Sequence, residues 1–435
     1  MNPMKVGLLG LGVVGGGTWT VLSRNAEEIA RRAGRRIEVT RAAVRDVAKA
    51  RARVGDSILV DTDVHALVRD PEIDIVVELI GGDTLALELV MEAIANGKHV
   101  VTANKALLAK HGNEIFAAAY ERGVMVTFEA AVAGGIPIIK AIREGLTANR
   151  IQWVAGIING TTNFILSRMR DDGLDFASAL AEAQALGYAE ADPTFDIEGI
   201  DAAHKITLLA ANAFGMPVCF DDVQVEGISR LQGLDVACAE QLGFRVKLLG
   251  IARRHADGVE LRVQPALVPS VHLMAHVERS MNAVMVKADA AGVTMYYGAG
   301  AGSEQTASAV IADLVDVARM AGTDETQRVP HLGFHAHAIC ALPVLPRAAV
   351  CSPHYLRVPL HEGRQIEALP ALLAAHKLPV RQIVLAAERA GHGPQALVLT
   401  DMAPQGIVDV ALHALQTHPV VAGAISTLRV EELAS

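Results

Sequence analysis

Apolar residues recur in short blocks through the first third of the chain, and each block is followed by a stretch with apolar positions three or four apart. Val6–Leu9, Ile37–Val44 and Ile73–Ile80 predict strands, the last apolar throughout except for Asp74 and Glu78. His99–Thr102 and Val124–Phe128 predict two more. Helices are expected from Val13, between Thr84 and Asn96-Gly97, and from Asn104. Apolar strands alternating with helices predict a doubly wound parallel sheet. In such a sheet ligands gather at the carboxyl ends of strands. That rule points to Gly10–Gly15, Arg45, Gly81-Gly82, Ala103–Lys105 and Glu129.

The texture changes at residue 133. Gly134-Gly135-Ile136-Pro137 predicts a loop, Ile138–Gly145 a helix, and Ile151–Ile158 a strand that ends in the polar string Asn159-Gly160-Thr161-Thr162-Asn163. Helices over Phe176–Leu186 and Gly199–Phe214 follow. Strands are expected near Val246–Arg253, Leu261–Leu267, Ala283–Asp289 and Gly292–Gly298, and Thr306–Met320 reads as a long helix returning to the first domain. The tail from Tyr355 reads strand, helix (Glu367–His376), strand (Val380–Ala387), strand (Ala396–Thr400), helix (Gln405–Gln416), strand (Val420–Leu428). That βαββαβ order is ferredoxin-like. The expected fold is therefore α/β in three parts: a Rossmann-type doubly wound sheet over residues 1–132, a mixed α/β domain over 133–325, and a ferredoxin-like domain over 350–435.

Composition narrows the function. The chain has 435 residues, 51% of them hydrophobic and only 4% aromatic, enough for two or three cores at ~150 residues each. A net charge of -9 leaves no basic surface for nucleic acid. No apolar run approaches the ~18 residues of a membrane span, and with a strand predicted from Val6 no signal peptide is expected. Four scattered cysteines without a CxxC pair read as reduced thiols, so a cytoplasmic location is expected. The pairs and triplets His272/His276 and His331/His335/His337 lack acidic or cysteine partners, and no zinc site is expected.

Gly10-Leu11-Gly12-Val13-Val14-Gly15 follows the first strand and opens a helix. There, Gly10 suits a tight turn, Gly12 the approach of backbone to a pyrophosphate, and Gly15 close helix–strand packing, while the helix N-terminus offers free N–H groups. Gly10, Gly12, Val13, Val14 and Gly15 are thus the candidate dinucleotide contacts. A glycine-rich turn without a ligand produces the same string, and Gly16 and Gly17 soften the helix start. The second strand ends Val44-Arg45-Asp46. An acid there suits the ribose of NAD and an arginine the phosphate of NADP, so both signals are present; Arg45 favours NADP, and it also reads as an ordinary exposed arginine. Further along, Asp201 and Lys205 lie four apart on a predicted helix and project from one face. A carboxylate and an amine together bind a zwitterion and move a proton. Taken alone, the pair also reads as an exposed salt bridge.

A series of strings, in order over about the first 320 residues, resembles homoserine dehydrogenases. They are Val6 to Gly15, Val77-Glu-Leu-Ile-Gly-Gly82, Thr102-Ala-Asn-Lys-Ala-Leu-Leu108, Glu129 to Pro137, Asn159 to Asn163, Gly187-Tyr-Ala-Glu-Ala-Asp-Pro193, Gly199 to Lys205 and Thr306 to Val310. The resemblance implies NAD(P)-dependent interconversion of L-homoserine and L-aspartate 4-semialdehyde in threonine, methionine and isoleucine biosynthesis, by a homodimer or larger homo-oligomer. By position, Lys205 looks like the proton donor and acceptor on the substrate oxygen. Lys105 looks like a second lysine near the nicotinamide, Glu190 and Asp201 like the binders of the substrate ammonium, and Gly187 and Gly302 like cofactor-side contacts. Glu129, Val132, Gly134 and Ile136 match a monovalent cation site, usually sodium, built mainly from backbone carbonyls. A lysine accepts the alcohol proton only when part of it is neutral, a form that burial or a neighbouring cation favours.

Two regions depart from the family pattern. Gly298-Ala-Gly-Ala-Gly302-Ser-Glu304-Gln305 lacks two prolines, which implies a looser loop, and Glu304 beside a phosphate site would disfavour NADP. The tail resembles an ACT regulatory domain in element order and position, yet His361-Glu362-Gly363-Arg364 replaces the usual Asp-x-Pro-Gly turn. Threonine binding there and a purely structural tail are both open. Two further readings remain: an oxidoreductase of the same frame acting on another amino acid or aldehyde, and a metabolite sensor, which would need neither Lys105 nor Lys205.

Overall fold

Among the described residues (2–361, 366–389 and 391–433 of a computed structural model), a first sheet is built from β1 (Met4–Leu9), β2 (Ile37–Ala43), β3 (Leu59–Asp61), β4 (Ile75–Glu78), β5 (His99–Thr102) and β6 (Val126–Thr127). Their order is β3-β2-β1-β4-β5-β6, with every neighbouring pair parallel. The order reverses between β1 and β4, so the carboxyl ends of these two strands open the crevice where dinucleotides bind in doubly wound sheets. Short β3 escapes the sequence pattern. Its three residues are too few to show a period, and only Val60 is deeply buried. Val6, Leu8, Ile75 and Val77 lie fully buried in one cluster with Ala307, Val310, Leu314 and Val317 of the helix Ser303–Met320, which packs on this sheet.

By contact, the chain divides into two units. The first comprises Met1–Val154, Ala203–Val223 and Asn282–Leu342, and the second Ala155–Ala202, Gln224–Met281 and Pro343–Ser435. Beyond the parallel sheet, the first unit contains Gly292–Ala299 and, from Asn282 on, the neighbouring strand Met281–Ala288. Here Ile138–Gly145 is not one regular helix. An α-helical turn at Ile138–Lys140 loosens into a π-helical turn over Ala141–Gly145.

In the second unit, Phe244–Arg254 and Val259–Pro269 form an eleven-pair antiparallel hairpin. Next to Val259–Pro269 runs Ser426–Val430, in parallel, followed by His354–Pro359, Gln395–Thr400 and Val380–Leu385. Numbered within the tail, the last four strands lie in the order 4-1-3-2, all antiparallel, the arrangement that a ferredoxin-like βαββαβ chain adopts. Leu369, Leu373, Val408, Ala411 and Leu415 of its two helices close one core with Leu356, Val358 and Val398.

Three sequence expectations shift here. The last strand begins at Ser426 rather than Val420, because Val420 and Val421 are buried in a turn tied to Pro359 and His361 by backbone bonds. Gly160–Asp171 and Gly233–Gln241 are helices that hydrophobic periodicity did not predict. Among the described residues, no helix is long and apolar enough to cross a membrane.

Candidate active site

The fingerprint loop sits at the end of β1. Gly10 has φ +98°, a conformation L side chains rarely adopt, and a Cβ on Gly15 would lie 2.3 Å from the Gly10 carbonyl oxygen. Above Gly12 the space is open for 4 Å, at the N-terminus of the twelve-residue helix Val13–Arg24. An exposed, backbone-lined cradle at a helix start fits a pyrophosphate. Of the two extra glycines, Gly17 has a structural use: a Cβ there would meet the Ser303 carbonyl at 2.4 Å. Ser303 Oγ also donates to the Val13 carbonyl (2.8 Å), so Gly302 and the fingerprint are brought together. Arg53, which sequence reasoning passed over, donates to the Gly12 carbonyl (3.0 Å) and adds positive charge beside the cradle.

At the end of β2, Arg45 is exposed. Asp46 caps the helix Val47–Val54, accepting from the Lys49 N–H (2.9 Å), so this acid is already engaged. Glu304 is likewise engaged, in a two-pronged pair with Arg24 (2.8 and 3.1 Å) that offsets its charge. The Gly298–Gln305 loop is held without the missing prolines. Gly135 N–H donates to the Ala299 carbonyl (3.0 Å), and Asn282 packs so closely that a Cβ on Gly300 would fall 2.0 Å from its amide.

Lys105 opens the helix Lys105–Arg122 directly after β5. Its position is set by a chain of buried bonds. Glu78, the one charged residue of β4, accepts from Thr102 Oγ1 (2.6 Å) and from the N–H groups of Ile80 and Gly81. Thr102 Oγ1 accepts from the Asn104 N–H, and Asn104 caps the helix through the Leu107 N–H (3.1 Å) while donating to the Gly82 carbonyl (2.6 Å). Burial raises the Glu78 carboxyl above its usual range, against these hydrogen bonds. A carboxylate inside an otherwise apolar parallel strand was the signal in the sequence.

Glu129, Val132, Gly134 and Ile136 are all buried. Ala133 and Gly134 both have positive φ, which turns the loop sharply. The Glu129 carboxylate accepts from the N–H groups of Ile139 and Lys140 (2.9 and 2.8 Å), and its own N–H donates to Asp313 on the helix Ser303–Met320 (2.8 Å). Burial raises Asp313 to about 7 and Glu129 to about 6; their mutual repulsion adds to Asp313, while Lys140 and Arg143 oppose both shifts. Both carboxyls thus hold protons more tightly when folded, and this stabilisation is complete below their ordinary values of 3.8 and 4.5 and lost as pH rises through about 6 to 7. Asp313→Asn is expected to melt higher than the wild type at about pH 8, by on the order of 1 kcal/mol, and to lose that advantage near pH 5. Parallel melting curves across that range would refute the assignment.

Asp201 and Lys205 lie on the helix Ile200–Phe214. Their exposures are only 3% and 8%, which excludes an ordinary surface salt bridge. His204, also buried, packs its ring 4.4 Å from Phe220. Lys105 and Lys205 belong to the first unit, Asp201, Glu190 and Gly187 to the second. Gly187 follows the helix Phe176–Ala185 with φ +77°, a helix-ending role independent of any cofactor. Thr161 Oγ1 donates to the Tyr188 carbonyl (2.6 Å) and Phe164 packs on the Tyr188 ring at 4.8 Å, fixing the segment that carries exposed Glu190.

These features have close counterparts among known proteins. Residues 10–129 match the model "Homoserine dehydrogenase, NAD binding domain", and residues 137–315 match "Homoserine dehydrogenase". The chain belongs to the homoserine dehydrogenase family. A homoserine dehydrogenase of Pseudomonas aeruginosa is 57% identical over 100% of both chains. The crystal structure of a homoserine dehydrogenase from Thiobacillus denitrificans is 58% identical, with a TM-score of 0.95, covering 100% of this chain and 99% of that one. A hyperthermophilic archaeal homoserine dehydrogenase mutant in complex with NADPH is 25% identical, with a TM-score of 0.61, over 72% of this chain and 97% of that one. Homoserine dehydrogenases are oxidoreductases, and this member carries their NAD(P)-binding domain. Among the described residues, no three His, Cys, Asp or Glu side chains gather as a metal cluster.

Proposed function

We propose that this chain catalyses the reversible oxidation of L-homoserine to L-aspartate 4-semialdehyde, with Lys205 moving the alcohol proton. The observation that carries this reading is the burial of Asp201 and Lys205 one turn apart on one helix. Taking a carboxylate and an amine out of water is costly, and such groups persist where chemistry uses them. Bound NAD(P) supplies the hydride acceptor. Lys205 takes the hydroxyl proton as the carbinol carbon loses hydride and returns it in the reverse direction. Lys105, fixed by the Glu78–Thr102–Asn104 chain at a strand end, is the second lysine and faces the nicotinamide. Glu190 and Asp201 hold the substrate ammonium, and Gly187 and Gly302 contact the cofactor through backbone. NADP is the favoured dinucleotide. Arg45 is exposed at the end of β2, Asp46 is spent as a helix cap, and Glu304 is paired with Arg24. The archaeal relative bound to NADPH agrees.

The direct test follows formation of reduced nicotinamide with L-homoserine and NADP, beside NAD and other hydroxy amino acids. Turnover with L-homoserine is expected. Turnover confined to another substrate would replace the proposed one, and none with any would leave a sensor. Glu190→Gln is expected to raise KM for L-homoserine by about tenfold or more while leaving KM for NADP within about twofold, since a charge-assisted contact is lost on one ligand only. Equal rises in both constants would remove Glu190 from the ammonium site.

Glu129, Val132, Gly134 and Ile136 are proposed to hold a sodium ion. Glu129's carboxylate is already occupied by two N–H groups, which leaves carbonyl oxygens as the donors a hard cation prefers. The enzyme is proposed to work in the cytoplasm as a homodimer or larger homo-oligomer. Its tail is proposed as an ACT-like domain on the strength of the 4-1-3-2 sheet, with threonine as the candidate effector. Of the segment replacing the family turn, Glu362-Gly363-Arg364 lies outside the described residues.

A further inference from the structure

Asn159 does more than the end of a helix requires. It occupies the N-cap of Gly160–Asp171, and its Oδ1 accepts from the Thr162 N–H (2.8 Å) and Thr162 Oγ1 (2.9 Å). A cap needs only an oxygen, which serine, threonine or aspartate supplies as well. The other end of the amide is what distinguishes asparagine. Nδ2 donates to Asp196 Oδ1 (2.7 Å) and to Asp201 Oδ2 (2.8 Å). Both hydrogens of the amide are thereby used, one on each carboxylate. The orientation is not a free choice. The Thr162 N–H can only donate, so Oδ1 must face it and Nδ2 must face the acids.

Asn159 and Asp201 are nine-tenths or more buried, at 5% and 3% exposure. The two acids come from different elements, Asp196 from the short helix Thr194–Ile197 and Asp201 from Ile200–Phe214. A neutral two-hydrogen donor seated between them holds one oxygen of each carboxylate and brings no charge of its own.

We propose that Asn159 is a positioning residue that aims the Asp201 carboxylate at the ammonium group of the amino-acid substrate. The proposal rests on Asp201 being an ammonium contact. Loss of the amide lets the Asp201 carboxylate rotate, and the penalty falls on substrate binding rather than on the dinucleotide.

Three variants test this, each compared with the wild type for KM of L-homoserine, KM of NADP and melting temperature. Asn159→Ser keeps an acceptor for the cap but is too short to reach the acids. Asn159→Asp keeps both cap and size and replaces the donor with a third carboxylate. Asp201→Asn tests the underlying contact. The expected result is a rise of about tenfold or more in KM for L-homoserine for all three, with KM for NADP within about twofold. For Asn159→Asp the rise should shrink as pH falls, because the added carboxyl takes up a proton between two others. If Asp201→Asn raises KM while Asn159→Ser and Asn159→Asp leave it within about twofold, Asn159 is only a cap and the proposal is overturned. If Asp201→Asn itself leaves KM unchanged, the ammonium contact is wrong and the proposal falls with it. If Asn159→Ser fails to fold, Asn159→Asp, whose cap is intact, decides by the same criteria.

Discussion

Replacing Lys205 with alanine is expected to lower kcat by about 10²–10⁴-fold while the enzyme still binds NADP, the usual scale for removing a positioned general acid or base. The side chain sits in the middle of a helix whose residues from Asp201 through Phe214 are all buried, so it cannot be exchanged for solvent water in the proton transfer. Dinucleotide affinity should hold, because the Gly10–Gly15 loop and the Ser303 bond to the Val13 carbonyl that braces it are held without Lys205. NADPH titration separates the two effects. A variant turning over at near the wild-type rate would remove Lys205 from the chemistry. One that no longer binds NADPH would show that the lysine supports the fold.

The second large effect concerns stability. Glu431→Ala is expected to destabilise the protein by about 3–5 kcal/mol, the range for breaking a buried pair and leaving its cation behind. Arg262 and Glu260 have no exposed surface, and Glu431 only 2%. Arg262 donates to Glu260 and to Glu431, Arg253 reaches Glu431 (3.1 Å), and His255 reaches Glu260 (3.1 Å). Burial works to raise the Glu260 carboxyl, but Arg262, His255 and Arg253 outweigh it and hold it well below the ordinary range. Arg429 is pushed down to about 10 by burial and by repulsion from Arg262. This cluster fastens the residues after Ser426–Val430 to the strand Val259–Pro269, reinforced by the Glu431 N–H on the Leu267 carbonyl (2.8 Å). Without Glu431, Arg262 keeps only Glu260, which Arg253 also approaches, and the buried cluster is left with excess positive charge. Denaturant midpoints read the loss directly. A change below about 1 kcal/mol would mean that water or rearrangement satisfies Arg262.

Much of the nucleotide-binding sheet was legible because its signals are local. An apolar run bounded by a glycine loop and a helical period is contained within about a dozen residues, and β1, β2, β4 and β5 were all readable that way. The helix Gly160–Asp171 was not. Thr161, Thr162, Asn163 and Ser167 are polar yet buried together with Phe164, Ile165 and Leu166, so the spacing of apolar residues shows no 3.6-residue period, and the composition is poor in strong helix formers. What makes it helical is the Asn159 cap and the burial of most of its residues.

The sequence by itself determined the parallel α/β plan, the dinucleotide fingerprint, the βαββαβ order of the tail and the family resemblance, since each depends on residue type and spacing along a continuous stretch. Tertiary structure decided the partners. It buried Asp201 and Lys205 rather than exposing them, spent Asp46 on a helix and Glu304 on Arg24, and set two acids on the amide of Asn159. Burial and hydrogen bonding depend on what arrives from elsewhere in the chain: 280 residues separate Arg24 from Glu304, and 42 separate Asn159 from Asp201. No local pattern carries that information, and the charge a side chain presents to a ligand is what remains after those distant partners are satisfied.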